Sequence, residues 1–163
     1  MTFHLRSAID GTEDAPPALT ALGNEARSAR DTIDLFDAPE GNQWVKLTCS
    51  EVSALCPVTS QPDLYTLVIL YRGPFVIETK SLKLFLLQFR DIGIAAETLV
   101  DTVAQALFLQ ASAQYMEVTG KQQARGGIII ESCSVYSRTP QLETLTPDTE
   151  SEGQEDREDE AKI

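Results

Sequence analysis

Between residues 64 and 93 the apolar pattern changes its period, and that change limits what the chain can fold into. The run "LYTLVILY", residues 64–71, is rich in aliphatic and aromatic β-formers, as a strand with both faces largely covered is. In "SLKLFLLQFRDIG", residues 81–93, Leu82, Phe85, Leu86 and Phe89 recur at helical spacing instead, with Gly93 as the expected stop. Upstream, "WVKLTCSEV" sets Val45, Leu47 and Cys49 on one face and Lys46 and Thr48 on the other, the alternation of a half-buried strand. Downstream, Leu99, Val100, Val103, Leu107 and Phe108 form the stripe of a second helix. Two further strands, "YMEVTGKQQ" and "GGIIIESCSVYS", are joined through Arg125, Gly126 and Gly127.

The order β-β-α-α-β-β predicts an α+β domain: one four-stranded antiparallel sheet with two helices on one face. The other face, with the alternation of "LVIL" and "GIII", needs a cover, and a homo-oligomer supplies one. Residues 1–43, rich in Ala, Asp, Pro and Gly, read as an N-terminal arm with a short helical segment between Leu19 and Arg30. The domain is expected over 44–140. The last 21 residues carry nine acids and two bases and almost no large apolar side chains, so 141–163 are expected to form a disordered acidic tail.

A net charge of -12 argues against nonspecific nucleic-acid binding, which needs basic surface to displace counterions. The start "MTFHLRSAID" lacks the basic and apolar regions of a signal peptide, and no apolar run approaches membrane-spanning length, so a cytoplasmic location without membrane attachment is expected. Cys49, Cys56 and Cys133 are odd in number and irregularly spaced, which fits free thiols. The single histidine, His4, lies in the arm. Ser-His-Asp and Cys-His catalysis and a histidine-rich zinc site therefore cannot be built in the body of one chain, and no metal is expected.

What chemistry remains centres on "SALCPVTSQPD", residues 53–63. A cysteine thiolate attacks electrophilic carbon once cations, helix termini or a base activate it. Across a loop stiffened by two prolines, Asp63 is placed to return as proton donor or acceptor. The plainer alternative is an inert packed Cys56 and an ordinary turn aspartate.

The runs "SEVSALCPVTSQPD" and "ETKSLKLFLLQFRDIG", then Glu97, then "ARGG", resemble in order and spacing the short single-domain NADPH-dependent 7-cyano-7-deazaguanine reductases, the nitrile reductases of queuosine synthesis. The resemblance runs from about Ala21 to Tyr136. It implies a tunnelling fold (T-fold) whose sheets close into an oligomeric barrel of stacked pentamers, with active sites between subunits. By the same resemblance, Cys56 adds to the nitrile carbon to give a thioimide, and Asp63 protonates the nitrogen. Glu97 accepts the paired N–H donors of the guanine-like edge, a pairing that suits a carboxylate. Ile77, Glu78 and Thr79 line the same pocket, with Thr79 where serine is usual. Lys80, Ser81, Lys83 and Arg125 match the NADPH phosphate signature. One position departs: Ala96 stands where the family has a substrate-contacting histidine, which implies a wider and wetter pocket.

Two alternatives carry different chemistry. In the related amidine-forming branch, ammonia replaces hydride on a base already in tRNA; that branch lacks the lysine-bearing motif. A binding protein that holds a deazapurine without turnover is the other.

Overall fold

The computed structural model describes residues 19–23, 25, 27–39 and 44–138; the start of the expected arm and the acidic tail lie outside them. The elements are β1 (Leu35–Asp37), β2 (Val45–Leu55), β3 (Pro62–Arg72), β4 (Phe75–Ile77), α1 (Thr79–Leu87), α2 (Ala96–Gln110), β5 (Tyr115–Gln122) and β6 (Glu131–Ser137). The four long strands make one antiparallel sheet in the order β2-β3-β5-β6. With two helices between the strand pairs, the chain has the expected α+β order.

Directly paired residues of an antiparallel ladder project to the same side. Register therefore sorts the sheet into two faces. On one, Leu47, Ile69 and Val118 form a row, followed by Cys49, Leu67 and Gly120. Leu99, Val103 and Leu107 of α2 are fully buried with this face in a single hydrophobic core. A bulge in β2 between Cys49 and Val52 inserts an extra residue, so both face inward although their parity differs. Beyond the bulge, Val52 and Ala54 continue the buried row toward Cys56. The opposite face is more polar than expected: Thr48, Val68, Thr119 and Cys133 lie in one row.

Several local expectations change. Among the described residues between Leu19 and Arg30 none is helical; they are turns, bends and irregular backbone. The Asp34 carboxylate instead accepts hydrogen bonds from the backbone N–H groups of Thr20 and Ala21 and from the Thr20 hydroxyl, folding this segment back on the strand that follows. That strand, β1, pairs with β4 in a separate two-stranded sheet, and Ile33 and Leu35 are buried in the core, so part of the expected arm packs with the domain.

Helix α1 ends at Leu87, well before Gly93. A β-carbon at Gly93 would lie 3.3 Å from Pro57 Cα, so the glycine permits a close backbone approach rather than capping the helix. The last strand begins at Glu131 and not in "GGIII". Gly126 and Gly127, at φ +61° and +81°, make a turn that leaves Ile128 and Ile129 exposed.

The helix–sheet contact is tightest at Gly120, where an added β-carbon would lie 2.3 Å from Val100 Cγ2 and 3.0 Å from Leu67 Cδ2. Gly120→Ala is expected to destabilise the protein by about 1–3 kcal/mol, the cost of overpacking a filled core. A thermal midpoint equal to the parent's would show that α2 does not press on β5 at this point.

Candidate active site

Cys56 leaves β2 into a loop closed at both ends. Its N–H donates to Gln61 O at 2.8 Å, and Ser60 N–H returns to Cys56 O at 2.9 Å, with Ser60 at φ +56°. From the side, Leu55 N–H donates to Ile92 O at 2.9 Å and Ile94 N–H donates to Leu55 O at 3.0 Å. The prolines, these bonds and the Gly93 contact hold the loop, and Cys56 is buried. Asp63, paired with Ala54 at the start of β3, is also buried.

The β5–β6 turn completes the arrangement. Gln123 N–H donates to Leu64 O at 2.8 Å and Arg125 N–H to Ile128 O at 3.0 Å, which bends the turn over the end of β3. Arg125 Nη1 meets Asp63 Oδ1 at 2.7 Å. Arg125 therefore reaches the Cys56–Asp63 pair from within the same chain, where sequence assigned it to cofactor phosphates alone.

The Cys56 thiol is lowered to about 7, chiefly by the Thr59 hydroxyl, then by the N–H groups of Thr59 and Val58 and by the Arg125 guanidinium, against the opposing effect of burial. The thiolate is thus favoured toward neutral pH without a histidine. Thr59 was not singled out in the sequence, although its place three residues after the cysteine in a tight loop is the signal that would have found it.

Tyr65 follows Asp63 by two positions on β3 and so shares its face. It is 1% exposed, and its hydroxyl has no hydrogen-bond partner. Burial and the Asp63 charge push the phenol up to about 12, with Arg125, Cys56 and Glu97 also within electrostatic reach. Glu97 lies in the first turn of α2, an end that favours an acid, and its side chain is exposed. Ala96 beside it is buried in the core cluster.

The segment 77–83 is placed elsewhere. Ile77 N–H donates to Tyr71 Oη at 2.8 Å. Tyr71 is eight residues beyond Asp63 on the unbroken β3, about 27 Å of strand. Glu78 caps α1, its carboxylate accepting from Lys80 N–H and Ser81 N–H, each at 2.7 Å. The Ser81 hydroxyl donates to Glu78 O and accepts from Asp34 N–H, both at 2.8 Å, in a fully buried position. Ser81 is therefore an internal fastener of α1 to β1, in place of the expected cofactor contact. Lys80 Nζ donates to Ala21 O at 2.8 Å, while Thr79 and Lys83 are exposed. One chain thus gathers Cys56, Asp63, Arg125, Tyr65 and Glu97, and places Ile77, Glu78, Thr79, Lys80 and Ser81 toward the Tyr71 end of β3, with Lys83 between, in electrostatic reach of Cys49.

Comparison with known proteins places this geometry in a lineage. A family model described as QueF-like protein matches residues 62–141. An NADPH-dependent 7-cyano-7-deazaguanine reductase from Frankia casuarinae is 38% identical over 122 residues, covering 74% of this chain and 98% of that protein. The chain belongs to the QueF-like family. A second QueF-like relative, the protein of the same name from Bacteroides thetaiotaomicron, is 36% identical over 127 residues, 74% of this chain and 84% of its own length. The one from Neisseria meningitidis serogroup B is 35% identical over 136 residues, 78% of this chain and 87% of its own. Among solved structures, the apo archaeosine synthase QueF-Like matches with a TM-score of 0.55 over 60% of this chain and 96% of that one. At 19% identity, that likeness concerns the QueF-like fold alone.

Thiol alkylation by iodoacetamide is expected to follow a titration centred near pH 7 at Cys56. Thr59→Val and Arg125→Ala each remove a group that favours the thiolate, so each should move the midpoint to higher pH, Thr59→Val the further. Midpoints unchanged in both variants would show that neither group faces the sulfur.

Proposed function

We propose that the chain is an NADPH-dependent 7-cyano-7-deazaguanine reductase, converting the nitrile of that base to an aminomethyl group. The observation that carries this reading is the grouping of Cys56 with Thr59 and Arg125, and of Arg125 with Asp63, in a chain that covers most of the length of relatives bearing that name.

Cys56 Sγ attacks the nitrile carbon, and the electron pair of one C–N π bond moves to nitrogen. Asp63 takes up the thiol proton and delivers it to that nitrogen, leaving a neutral thioimide. A thioimide accepts hydride far better than a nitrile does, which is the purpose of the covalent step. NADPH, when bound, supplies two hydrides in turn, and with two protons these give the amine and release Cys56. Glu97 accepts the paired N–H donors of the base. Arg125 holds sulfur and carboxylate in register before substrate enters.

The donor set for the cofactor fits in part. Lys80 and Lys83, three residues apart on α1, offer the ammonium charges that phosphates need, whereas buried Ser81 does not face outward. This lysine pair favours reduction over amidine formation.

The separation of the two residue groups supports a site shared between subunits. With about 27 Å of strand between Asp63 and Tyr71, no bicyclic base reaches both Cys56 and the Ile77–Thr79 segment of one chain. A second copy that brings its own Ile77–Thr79 segment to Cys56 completes the pocket. Edge strands β2 and β6 leave pairing positions open, and Val58, Ile128 and Ile129 are exposed at the Cys56 end of the sheet. These features suit a T-fold homo-oligomer, a ring of sheets with helices outside, working in the reducing cytoplasm where Cys56 stays a thiol. Among the described residues no helix is long and apolar enough to cross a membrane.

NADPH absorbance is expected to fall only when the nitrile base is added, with two cofactors oxidised per base. Lys83→Ala should raise the apparent KM for NADPH up to about fivefold, the scale of one exposed charge contact, and leave kcat near the parent's. Cofactor oxidation that ignores the nitrile base would remove the reductase reading.

A further inference from the structure

A buried hydroxyl without a partner is costly, and native proteins rarely leave one unexplained. The Tyr65 hydroxyl is such a group. The side chain is 1% exposed, stands on the same face of β3 as Asp63, and has Val52 and Gln122 as its cross-strand neighbours. Val52 offers no polar group to it, and the buried Gln122 amide does not bond it. The charged groups around the hydroxyl are Asp63, Arg125, Cys56 and Glu97, the same four that make up the site. A tyrosine serving only to fill the core would do so equally well as phenylalanine.

We propose that Tyr65 is a substrate-contacting residue of this site: its hydroxyl donates a hydrogen bond to the nitrogen of the nitrile and, after Cys56 adds, to the same nitrogen in the thioimide. The inference rests on the reductase reading. Position argues for the reacting end of the base, because Tyr65 is two residues from Asp63 on one strand face, and Asp63 faces the same nitrogen. Its charge state agrees: a phenol pushed up to about 12 stays protonated at neutral pH and serves as a fixed donor. Substrate binding would then satisfy the group that the free chain leaves unpaired, so the contact is strongest when the nitrogen gains electron density.

Tyr65→Phe keeps the ring and removes one oxygen. The free variant is expected to melt at or above the parent's midpoint, since an unpaired buried oxygen is lost. Its kcat/KM for the nitrile base, with NADPH saturating, should fall about 10- to 100-fold, the range for a hydrogen bond to a polar reacting group. Its thermal shift with 7-deazaguanine, which has no nitrile, should match the parent's. Unchanged kcat/KM in an active parent background overturns the Tyr65 role and leaves the reductase reading standing. A lowered midpoint with no ligand present would make the hydroxyl structural and also overturn it. A parent without nitrile-dependent NADPH oxidation overturns the reductase reading, and the role of Tyr65 falls with it.

Discussion

Holding a thiolate in a buried position without a histidine requires fixed donors, and the fold at the end of β2 is organised to supply them. The Thr59 hydroxyl and the N–H groups of Val58 and Thr59 come from a loop only six residues long, so they can surround Sγ only if that loop is closed tightly. Its two ends are tied by Cys56–Gln61 and Ser60–Cys56 hydrogen bonds, and its flank by Leu55 bonding to Ile92 and Ile94. Arg125 arrives from a different part of the chain, carried by a turn that two left-handed glycines permit. The result is a thiol surrounded by groups that favour its thiolate, with Arg125 linking it to Asp63.

The same strand that carries Asp63 also positions the start of α1. Asp63 and Tyr71 are ends of the same strand, and α1, with Glu78 as its cap, is fastened near the Tyr71 end through Ile77, Asp34 and Ser81. The rigidity that fixes Cys56 equally fixes the start of α1 at the other end of β3, from which the helix runs on to bring Lys83 within electrostatic reach of Cys49. About 27 Å of paired strand separates Asp63 from Tyr71, and this separation is what supports the proposed sharing of a pocket between two copies. Ser81 illustrates the cost of reading a motif as a row of ligand contacts: in "ETKSLKLF" the serine serves the helix, the glutamate caps it, Lys80 donates to Ala21 O, and Lys83 is the exposed cation.

The sheet and both helices were legible because each long element shows its period: Leu47 and Cys49 alternate, while Leu82, Phe85, Leu86 and Phe89 recur by threes and fours. Strands β1 and β4 were not, since three residues carry no period and their pairing depends on contacts across more than thirty positions. The helical segment expected near Leu19 lost to a long-range interaction, the Asp34 carboxylate, that local propensity cannot contain. At the site, Cys56 and Asp63 stood out through their prolines. Thr59 looked like turn filler and Tyr65 like another apolar strand residue. Both gain meaning only from three-dimensional neighbours, the thiol for one and the absence of any hydroxyl partner for the other. Arg125 was noticed for its charge, but the turn that sends it to Asp63 is a matter of backbone conformation at Gly126 and Gly127.

The central claim is that a thiolate made by backbone and hydroxyl donors, and not by a histidine, forms a covalent bond to the nitrile carbon. Intact-mass spectrometry of the protein incubated with 7-cyano-7-deazaguanine in the absence of NADPH tests it directly. The account predicts a gain of one base per chain in the parent, located by peptide mapping at Cys56, and no gain in Cys56→Ala. An adduct that persists in Cys56→Ala, or maps to Cys49 or Cys133, would contradict it.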